Sequence, residues 1–407
     1  MKKRKSIFRP LAALIMAFTM ILTGTVLAIQ SGIPDKFLVA EGESFSIHSR
    51  SYIDAVVTKS RSFATGAYAS AGNSYRMDLK LLGIIQLKEV NVEVVPASQV
   101  VVSGAPFGIK MFTEGVMVVG LSDIPTANGG SVNPAHTAGI KVGDIIEKID
   151  GKQVSGNEDT AQIISQSEGR PMTVELVRKD ERLTVTLQAV QSEDGGWRAG
   201  IWVRDSSAGV GTMTFYDPAT QTFAGLGHAV CDVDTGEILP LMSGEIVPVL
   251  INGVVKSQSG TPGELRGTFT STSAIGQLKV NSETGVYGTM LQTPTDGFTA
   301  PVAMKQEISE GPATIFTTLN GSTPKEYQIV IEKISLQDSN PTKNMVIRVT
   351  DPELLETAGG IVQGMSGSPI LQNGKLVGAV THVFVNQPTR GYAIFAENML
   401  KTAETVK

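Results

Sequence analysis

The chain has 407 residues, of which 41% are apolar, and its net charge at pH 7 is -5. This length allows two or three globular domains, and the apolar content excludes a disordered chain. No basic stripe with interleaved aromatic residues occurs, so a nucleic-acid-binding protein is not indicated. The 43 glycines and the few aromatic residues favour a strand-rich fold with many turns.

A basic N-terminus precedes a long apolar run. Five Lys or Arg residues fall within residues 2–9, and no charged residue occurs from Leu11 to Gln30. About 20 such residues span a bilayer as a helix, and the positive flank should stay in the cytoplasm. We predict an uncleaved signal anchor that exports the chain from about residue 31 onward. The polar, small residues that follow predict a flexible stalk that is open to proteases.

The clearest module covers residues 134–151, which read PAHTAGIKVGDIIEKIDG. This segment resembles a PDZ domain, in which a short helix packs on a strand and a glycine turn follows. The resemblance implies that a peptide binds near Phe107, Gly108 and Ile109, where Gly108 would let backbone N–H groups face a carboxylate. The helix beside this groove is expected over residues 159–167.

After residue 196, short β-patterned runs alternate with turns about every ten residues, as in a sandwich or barrel. Near the end of this block, residues 364–369 read GMSGSP. Chymotrypsin-like peptidases present a serine nucleophile in this way, because flanking glycines let backbone N–H groups converge where a peptide oxyanion would form. Both Ser366 and Ser368 are candidates at this point, and a plain turn before a buried strand is the alternative.

A serine nucleophile needs a base, which is normally histidine. Only four histidines occur. His48 falls in the stalk, His136 on the PDZ helix, and His382 on the strand after the serine motif, where a structural role is the simpler interpretation. His228, within the segment FAGLGHAV, is flanked by small residues as an accessible base on a turn would be. We therefore favour His228 as the base.

The residue that would orient the imidazole is left open by the pattern. Asp351, Asp232 and Asp234 are candidates, although Asp351 precedes a proline and is also a typical helix N-cap. Cys231 is a weaker nucleophile candidate, because it lacks the glycines that would build an oxyanion hole. A Ser/Lys dyad that uses Lys375 is a further alternative.

Metal and cofactor chemistry are not indicated. Cys231 is the only cysteine, so an intrachain disulfide is impossible, and neither a His-Glu-x-x-His pattern nor a P-loop occurs. We predict chemistry without a cofactor.

Four further motifs follow one another after the PDZ-like module. They read GLGHAVCDVDTG, NSETGVYGT, TDPELL and GGIVQGMSGSPILQNGKLVGAVTHVFVNQPTRGYAIFAENML. In this order they resemble the stage IV sporulation protein B peptidases of endospore-forming bacteria, over nearly everything after the stalk. The resemblance implies a serine peptidase with His228, Asp351 and Ser366 as its triad, which decides Ser366 over Ser368. By analogy with chymotrypsin-like sites, the N–H groups of Gly364 and Ser366 would form the oxyanion hole.

The resemblance also implies a role in signalling from the forespore to the mother cell. Such a peptidase is exported across the forespore membrane and cleaves a regulatory subunit of an intramembrane metalloprotease, which then processes the precursor of a sigma factor. Self-cleavage between about residues 45 and 80 would release the anchored protein into the intermembrane space. A noncatalytic PDZ adaptor is the alternative from another class.

The predicted fold is mainly β, with a PDZ domain followed by a chymotrypsin-like double β-barrel and one N-terminal transmembrane helix. The predicted segments are a signal anchor over 1–30, a flexible stalk over 31–77, a β lead-in over 78–98, a PDZ domain over 99–192 and a serine peptidase domain over 193–407.

Overall fold

The computed structural model describes residues 5–50, 52–59, 71–127, 129–294, 296–337 and 339–406. It begins with a long helix, α1 (Lys5–Ser31). The part Ala12–Ser31 is long and apolar enough to cross a membrane, and none of its residues is fully buried, although Val26 and Ile29 pack in part against the core. A helix with an apolar surface on all sides is suited to lipid. This agrees with the predicted N-terminal membrane helix.

A four-stranded sheet follows the helix. Its strands are β1 (Lys36–Ala40), β2 (Ile53–Lys59), β3 (Ser74–Leu81) and β4 (Ile85–Val95). The strand order is β1-β4-β3-β2, with β1 parallel to β4 and the other neighbours antiparallel. The sheet includes the strands predicted for the β lead-in.

This sheet corrects the prediction that residues 31–77 form a flexible stalk. Ile33 and Phe37 are fully buried, and their core cluster includes residues of the C-terminal barrel. Burial of a large apolar side chain contributes about 1.5–3 kcal/mol, so short apolar runs among polar residues can anchor the segment. Residues 60–70, which contain part of the small-residue tract of the predicted stalk, lie outside the described residues, as does part of the predicted cleavage region.

A large sheet of 13 strands occupies the middle of the chain. Four short strands of this part, β7, β8, β13 and β14, form two separate two-stranded sheets. The elements in chain order are β5 (Gln99–Val102), β6 (Pro106–Leu121), β7 (Ile124–Pro125), β8 (Ser131–Val132), α2 (Pro134–Thr137), β9 (Ile145–Ile149), β10 (Lys152–Gln153), α3 (Asn157–Gln166), β11 (Pro171–Arg178), β12 (Glu181–Gln188), β13 (Val190–Gln191), β14 (Trp197–Arg198), β15 (Ile201–Asp217), β16 (Thr222–Gly225), β17 (Leu241–Val255), β18 (Glu264–Phe269), β19 (Gly276–Ser282), β20 (Gly285–Met290) and β21 (Phe298–Pro301).

The PDZ-like module packs α2 and α3 around strands β9, β11 and β12. Its core includes Ile140, Ile146 and Ile164. The side chain of Asn133 caps α2 by accepting a hydrogen bond from the N–H of His136 at 2.9 Å. The helix predicted over residues 159–167 is present as α3, which begins two residues and ends one residue earlier than expected.

Two long strands join this module to the next part of the fold. The C-terminal half of β6 pairs with β9 and with the start of β15, whereas its N-terminal half pairs with β17 and with the middle of β15. The pairings β6–β17, β17–β19, β19–β20, β20–β16, β16–β15 and β15–β6 close a ring of six strands. Their apolar side chains form one core, which includes Phe107, Phe223 and Ile246.

The C-terminal part is a closed six-stranded barrel with two helices. Its elements are β22 (Gly311–Thr317), β23 (Lys325–Ile334), β24 (Met345–Val349), α4 (Pro352–Ala358), β25 (Pro369–Gln372), β26 (Lys375–Val383), β27 (Arg390–Phe395) and α5 (Ala396–Ala403). The barrel order is β22-β23-β24-β27-β26-β25. Met399 of α5 is fully buried in a core that contains residues of β5, β16 and β26, so the last helix packs on both parts.

The mainly β class is confirmed. Of the two predicted barrels, only the second closes as a sheet of its own among the described residues, and the first corresponds to the six-stranded ring within the larger sheet. The reason is that β6 and β15 are long enough to serve both the ring and the PDZ-like module. The predicted domain boundary at residue 192 stays a prediction.

Candidate active site

The serine motif forms a loop between α4 and β25, which we call the nucleophile loop (Gln363–Ser368). Gly364 and Gly367 both have a φ of 93°, in the left-handed region that disfavours a side chain. A Cβ on Gly367 would lie 2.0 Å from the carbonyl oxygen of Thr212. The glycines are therefore required by backbone conformation and by the close approach of β15.

Every main-chain carbonyl from Gln363 to Gly367 accepts a hydrogen bond. The donors are Leu265 N to Gln363 O at 2.8 Å, Thr212 Oγ1 to Gly364 O at 2.8 Å, Ser368 N to Met365 O at 2.9 Å, Thr212 N to Ser366 O at 3.0 Å and Thr214 Oγ1 to Gly367 O at 2.7 Å. Each bond fixes the plane of the peptide group that carries the carbonyl. The orientation of the N–H groups along the loop is thereby fixed as well.

The N–H groups of this loop are not all used. Those of Gln363, Met365, Gly367 and Ser368 donate to main-chain carbonyls. Among the described residues, the N–H groups of Gly364 and Ser366 donate to none. Two fixed and unused donors at alternate positions are what an oxyanion hole requires. These are the two N–H groups that the sequence predicts.

Ser366 is the accessible hydroxyl of the loop. It is half-buried and lines a cavity, and its Oγ donates a hydrogen bond to the carbonyl of Thr381 at 3.0 Å. Ser368 is fully buried, and its Oγ has no hydrogen-bond partner among the described residues. Only Ser366 is therefore placed to meet a substrate.

The cavity lies between the six-stranded ring and the C-terminal barrel and has a volume of about 550 Å³. Both parts contribute to its walls. Its apolar lining residues are Ile109, Val210, Leu226, Ala229, Val230, Pro262, Ile361, Val362, Val383 and Val385. Ser366, His228, His382 and Cys231 also line it. The structure thus brings the predicted nucleophile and the predicted base to one cavity.

His228 follows β16 in a loop whose residues Leu226 and Gly227 both have positive φ values. Its Nδ1 lies 2.8 Å from the carbonyl oxygen of Ala229. A carbonyl only accepts, so Nδ1 carries the proton and Nε2 of the neutral ring is the free acceptor. Burial lowers the pKa of His228, and the bond to Ala229 opposes that shift only in part. The imidazole is therefore held neutral in the tautomer that a general base needs.

A second imidazole lies beside the first. The ring centroids of His228 and His382 are 5.1 Å apart, with an angle of 38° between the ring planes. Burial lowers the pKa of His382 to about 4, and the nearby His228 and Lys343 contribute to the shift. The position of His382 at the cavity was not specified by the sequence, which indicated only a core or rim residue.

A family described as SpoIVB peptidase S55 matches residues 195–400, about half of the chain. The chain belongs to this family. The PDZ family matches residues 132–178, which confirms the predicted PDZ module. The predicted resemblance is therefore confirmed, and the prediction of a serine peptidase is confirmed at the level of the family.

Curated relatives match shorter segments. A probable periplasmic serine endoprotease, DegP-like, of Brucella suis biovar 1 is 28% identical over 155 residues, which cover 36% of this chain and 29% of the relative. A putative zinc metalloprotease of Clostridium perfringens is 28% identical over 112 residues, which cover 26% of this chain and 33% of the relative. The chain thus spans about a third of the length of the curated relatives it matches.

Among solved structures, the PDZ domain of an SdrC-like protein from Listeria monocytogenes is similar at 19% identity. The match covers 22% of this chain and 87% of that chain, with a TM-score of 0.19.

In this structure Asp351 does not complete a catalytic triad with His228 and Ser366. Its carboxylate accepts hydrogen bonds from the N–H groups of Glu353, Leu354 and Gln328 at 3.0, 3.1 and 3.2 Å, and it caps α4. It is not among the described residues that line the cavity. The prediction of Asp351 as the orienting residue is therefore corrected. The first turn of a helix supplies unpaired N–H donors, and these engage the carboxylate of Asp351, while Nδ1 of His228 is bonded to Ala229 O.

The other candidates are also engaged elsewhere. Asp232 is buried and lies 2.9 Å from Arg204, which also pairs with Asp234.

Lys375 forms ion pairs with Glu43 at 2.6 Å and Glu307 at 2.9 Å. Burial acts to lower the pKa of Lys375, but its hydrogen bonds to the two carboxylates outweigh burial and raise it. A charged, paired lysine is not a base, so the structure does not favour a Ser/Lys dyad.

The predicted peptide-binding residues of the PDZ module are also corrected. Phe107, Gly108 and Ile109 lie within β6 and pair with β15 on one side and β17 on the other. A strand paired on both edges cannot add a peptide strand. Residues 201–206 of β15 pair only with β6, so their other edge is free beside α3. The first N–H of α3 donates to Asp205 at 2.9 Å.

Proposed function

We propose that the protein is a membrane-tethered serine endopeptidase in which Ser366 is the nucleophile and His228 the general base. The observation that carries this proposal is the pair of unused N–H groups, of Gly364 and Ser366, beside the accessible hydroxyl of Ser366. Because these two donors have no acceptor among the described residues, they are available to stabilise the oxyanion of a bound substrate. The family membership supports the same chemistry.

The reaction follows from this geometry. A peptide carbonyl enters the cavity, and Ser366 Oγ attacks its carbon while its proton passes to Nε2 of His228. The oxyanion that forms accepts hydrogen bonds from Gly364 and Ser366, each of which contributes roughly 10²–10³-fold to the rate. The imidazolium then returns the proton to the leaving amine, and a water molecule hydrolyses the acyl-enzyme by the same route.

The resting hydroxyl is hydrogen-bonded away from the base. Ser366 Oγ donates to Thr381 O at 3.0 Å, so its proton must leave this carbonyl before it can pass to His228. The carbonyl of Ala229 fixes the tautomer of His228. It carries only a partial charge, so it stabilises the imidazolium less than a carboxylate would. We therefore propose a Ser-His dyad supported by a main-chain carbonyl.

The biological setting is proposed from the family resemblance, the N-terminal helix and the PDZ module. The protein would be anchored by α1, exported across the forespore membrane, and active on protein substrates that include itself. Its proposed target is a regulatory subunit of an intramembrane metalloprotease that processes a sigma-factor precursor during sporulation. Self-cleavage between about residues 45 and 80 would release it into the intermembrane space.

The test is mass spectrometry of the N-terminus of the full-length protein after incubation in detergent, for wild type and Ser366→Ala. We expect a shortened wild-type chain and an intact variant. Ser368→Ala is the matched control, since Ser368 lies in the same loop but faces the interior, and it should process like wild type. Equal processing in wild type and Ser366→Ala, with both proteins folded, would leave a noncatalytic PDZ adaptor as the better account.

A further inference from the structure

We propose that Thr212 and Thr214 of β15 are positioning residues that hold the oxyanion hole open. This inference rests on the proposed peptidase activity. Neither side chain lines the cavity, and both are buried, with exposed fractions of 1% and 0%. They therefore act through the nucleophile loop and not by contact with substrate.

The contacts of the two threonines are specific. Thr212 Oγ1 donates to Gly364 O at 2.8 Å, and Thr214 Oγ1 donates to Gly367 O at 2.7 Å. Residues i and i+2 of a strand face the same side, so β15 presents both hydroxyls to the loop. The N–H of Thr212 adds a third bond, to Ser366 O at 3.0 Å. One strand of the six-stranded ring thus holds three carbonyls of the C-terminal barrel's loop, those of Gly364, Ser366 and Gly367.

The loop needs such anchors because of its glycines. Glycine gives the φ value of 93° that points the N–H groups toward one site, but it also leaves other conformations open. A peptide group can rotate and exchange the directions of its N–H and C=O. Rotation of the group that joins Gly364 to Met365 would break the bond from Thr212 and shift the neighbouring N–H donors. The hydroxyl of Thr212 therefore restrains the loop at the position where its backbone is least restricted.

The carbonyls that accept from the two threonines also need these hydrogen bonds. A buried carbonyl without a donor is unfavourable, so the loop would change conformation to find another partner if the hydroxyl were removed. Valine has nearly the shape of threonine and lacks the hydroxyl, and serine keeps the hydroxyl and lacks the methyl group. The two substitutions separate the hydrogen bond from packing.

The experiment measures kcat and KM of full-length protein in detergent on one peptide substrate. The variants are Thr212→Val, Thr212→Ser, Thr214→Val and Thr318→Val, with Ser366→Ala as the inactive reference. Thr318 is a matched control, because it is buried and its hydroxyl donates to the carbonyl of Gly104 at 3.2 Å, outside the nucleophile loop.

We expect Thr212→Val to lower kcat by about 10–10²-fold with KM within about twofold, since the loss falls on an interaction made in the transition state. Thr212→Ser should recover activity to within about threefold of wild type, and Thr318→Val should match wild type. Thr214→Val should show a smaller loss than Thr212→Val, because Gly367 is further from the two donors.

A second readout does not depend on activity. Hydrogen exchange of the peptide that covers residues 363–368 should be faster in Thr212→Val than in wild type and unchanged in Thr318→Val. Wild-type kcat together with wild-type exchange in a folded Thr212→Val would overturn the inference. If instead Ser366→Ala cleaves as well as wild type, the proposed peptidase fails, and exchange alone then decides whether the threonines hold the loop.

Discussion

The nucleophile loop and the histidine loop are built in different ways. All five carbonyls from Gln363 to Gly367 are held by hydrogen bonds, and two N–H groups are left for a ligand. Within the part of the chain that the structure describes, the imidazole of His228 has a single hydrogen bond, to the carbonyl of Ala229, and the hydroxyl it should deprotonate is bonded to Thr381. The proposed oxyanion hole is therefore preorganised by the fold, whereas the hydroxyl of Ser366 must exchange its hydrogen bond to Thr381 for one to His228 before proton transfer.

The largest expected effect tests the less rigid side of this comparison. His228→Ala should lower kcat by about 10⁴-fold, because the hydroxyl of Ser366 then has no base. The kcat of full-length protein is measured on a peptide substrate, with His136→Ala as the control, since His136 is exposed on α2. Retention of most activity in His228→Ala would show that another group accepts the proton.

The rigid side is tested by Gly364→Ala. The φ of 93° is unfavourable for alanine, and the new Cβ would lie 3.0 Å from the Cβ of Leu265. Displacement of one oxyanion donor should lower kcat by roughly 10²-fold. Gly374→Ala is the control: its φ is also positive, at 75°, but no atom lies within 4 Å of the added Cβ. An equal loss of kcat in the two variants would mean that backbone strain at a positive φ, and not the displaced N–H donor, lowers the activity.

Asp351→Asn distinguishes the dyad from a triad. Asparagine is a good N-cap, so we expect kcat within about threefold of wild type. An orienting triad carboxylate replaced by its amide would instead lower kcat by about 10⁴-fold. Asp351→Ala should lower the free energy of unfolding by about 1 kcal/mol through loss of the cap, as measured by thermal denaturation. A 10⁴-fold loss in a stable Asp351→Asn would restore Asp351 to the site.

The smallest expected effect is a shift in pH dependence. The pKa of His228 is lowered by burial, so its neutral form persists below the usual histidine range. The acid limb of kcat/KM should therefore have its midpoint below about pH 6.5, the ordinary histidine pKa. A midpoint at or above that value would indicate a nearby carboxylate that stabilises the imidazolium.

Local patterns predicted the parts of the site that depend on local backbone. Gly364, Ser366 and His228 were predicted because glycines flank a hydroxyl and small residues flank an imidazole, and the family resemblance favoured them over a plain turn and a structural histidine. Asp351 was misassigned because an aspartate before a proline serves equally as a helix cap, and only the fold shows which role its carboxylate takes.

Long-range strand pairing was not visible in the sequence. Phe107–Ile109 resembled a PDZ loop because a glycine follows an aromatic residue, but β6 is 16 residues long and is paired on both edges here. Phe37 was hidden in a polar segment, although it is fully buried. Thr212 and Thr214 had a signal that was passed over, namely two threonines at alternate positions in an otherwise apolar run, which suggests buried hydroxyls with specific partners.

The central claim is that Ser366 and the unused N–H groups of Gly364 and Ser366 form one preorganised reaction centre. A crystal structure of the protein after reaction with a peptidyl phosphonate tests it most directly. We expect the phosphorus on Ser366 Oγ and one phosphonyl oxygen within about 3 Å of both N–H groups. An adduct on another residue, or a phosphonyl oxygen that contacts neither N–H group, would contradict the account.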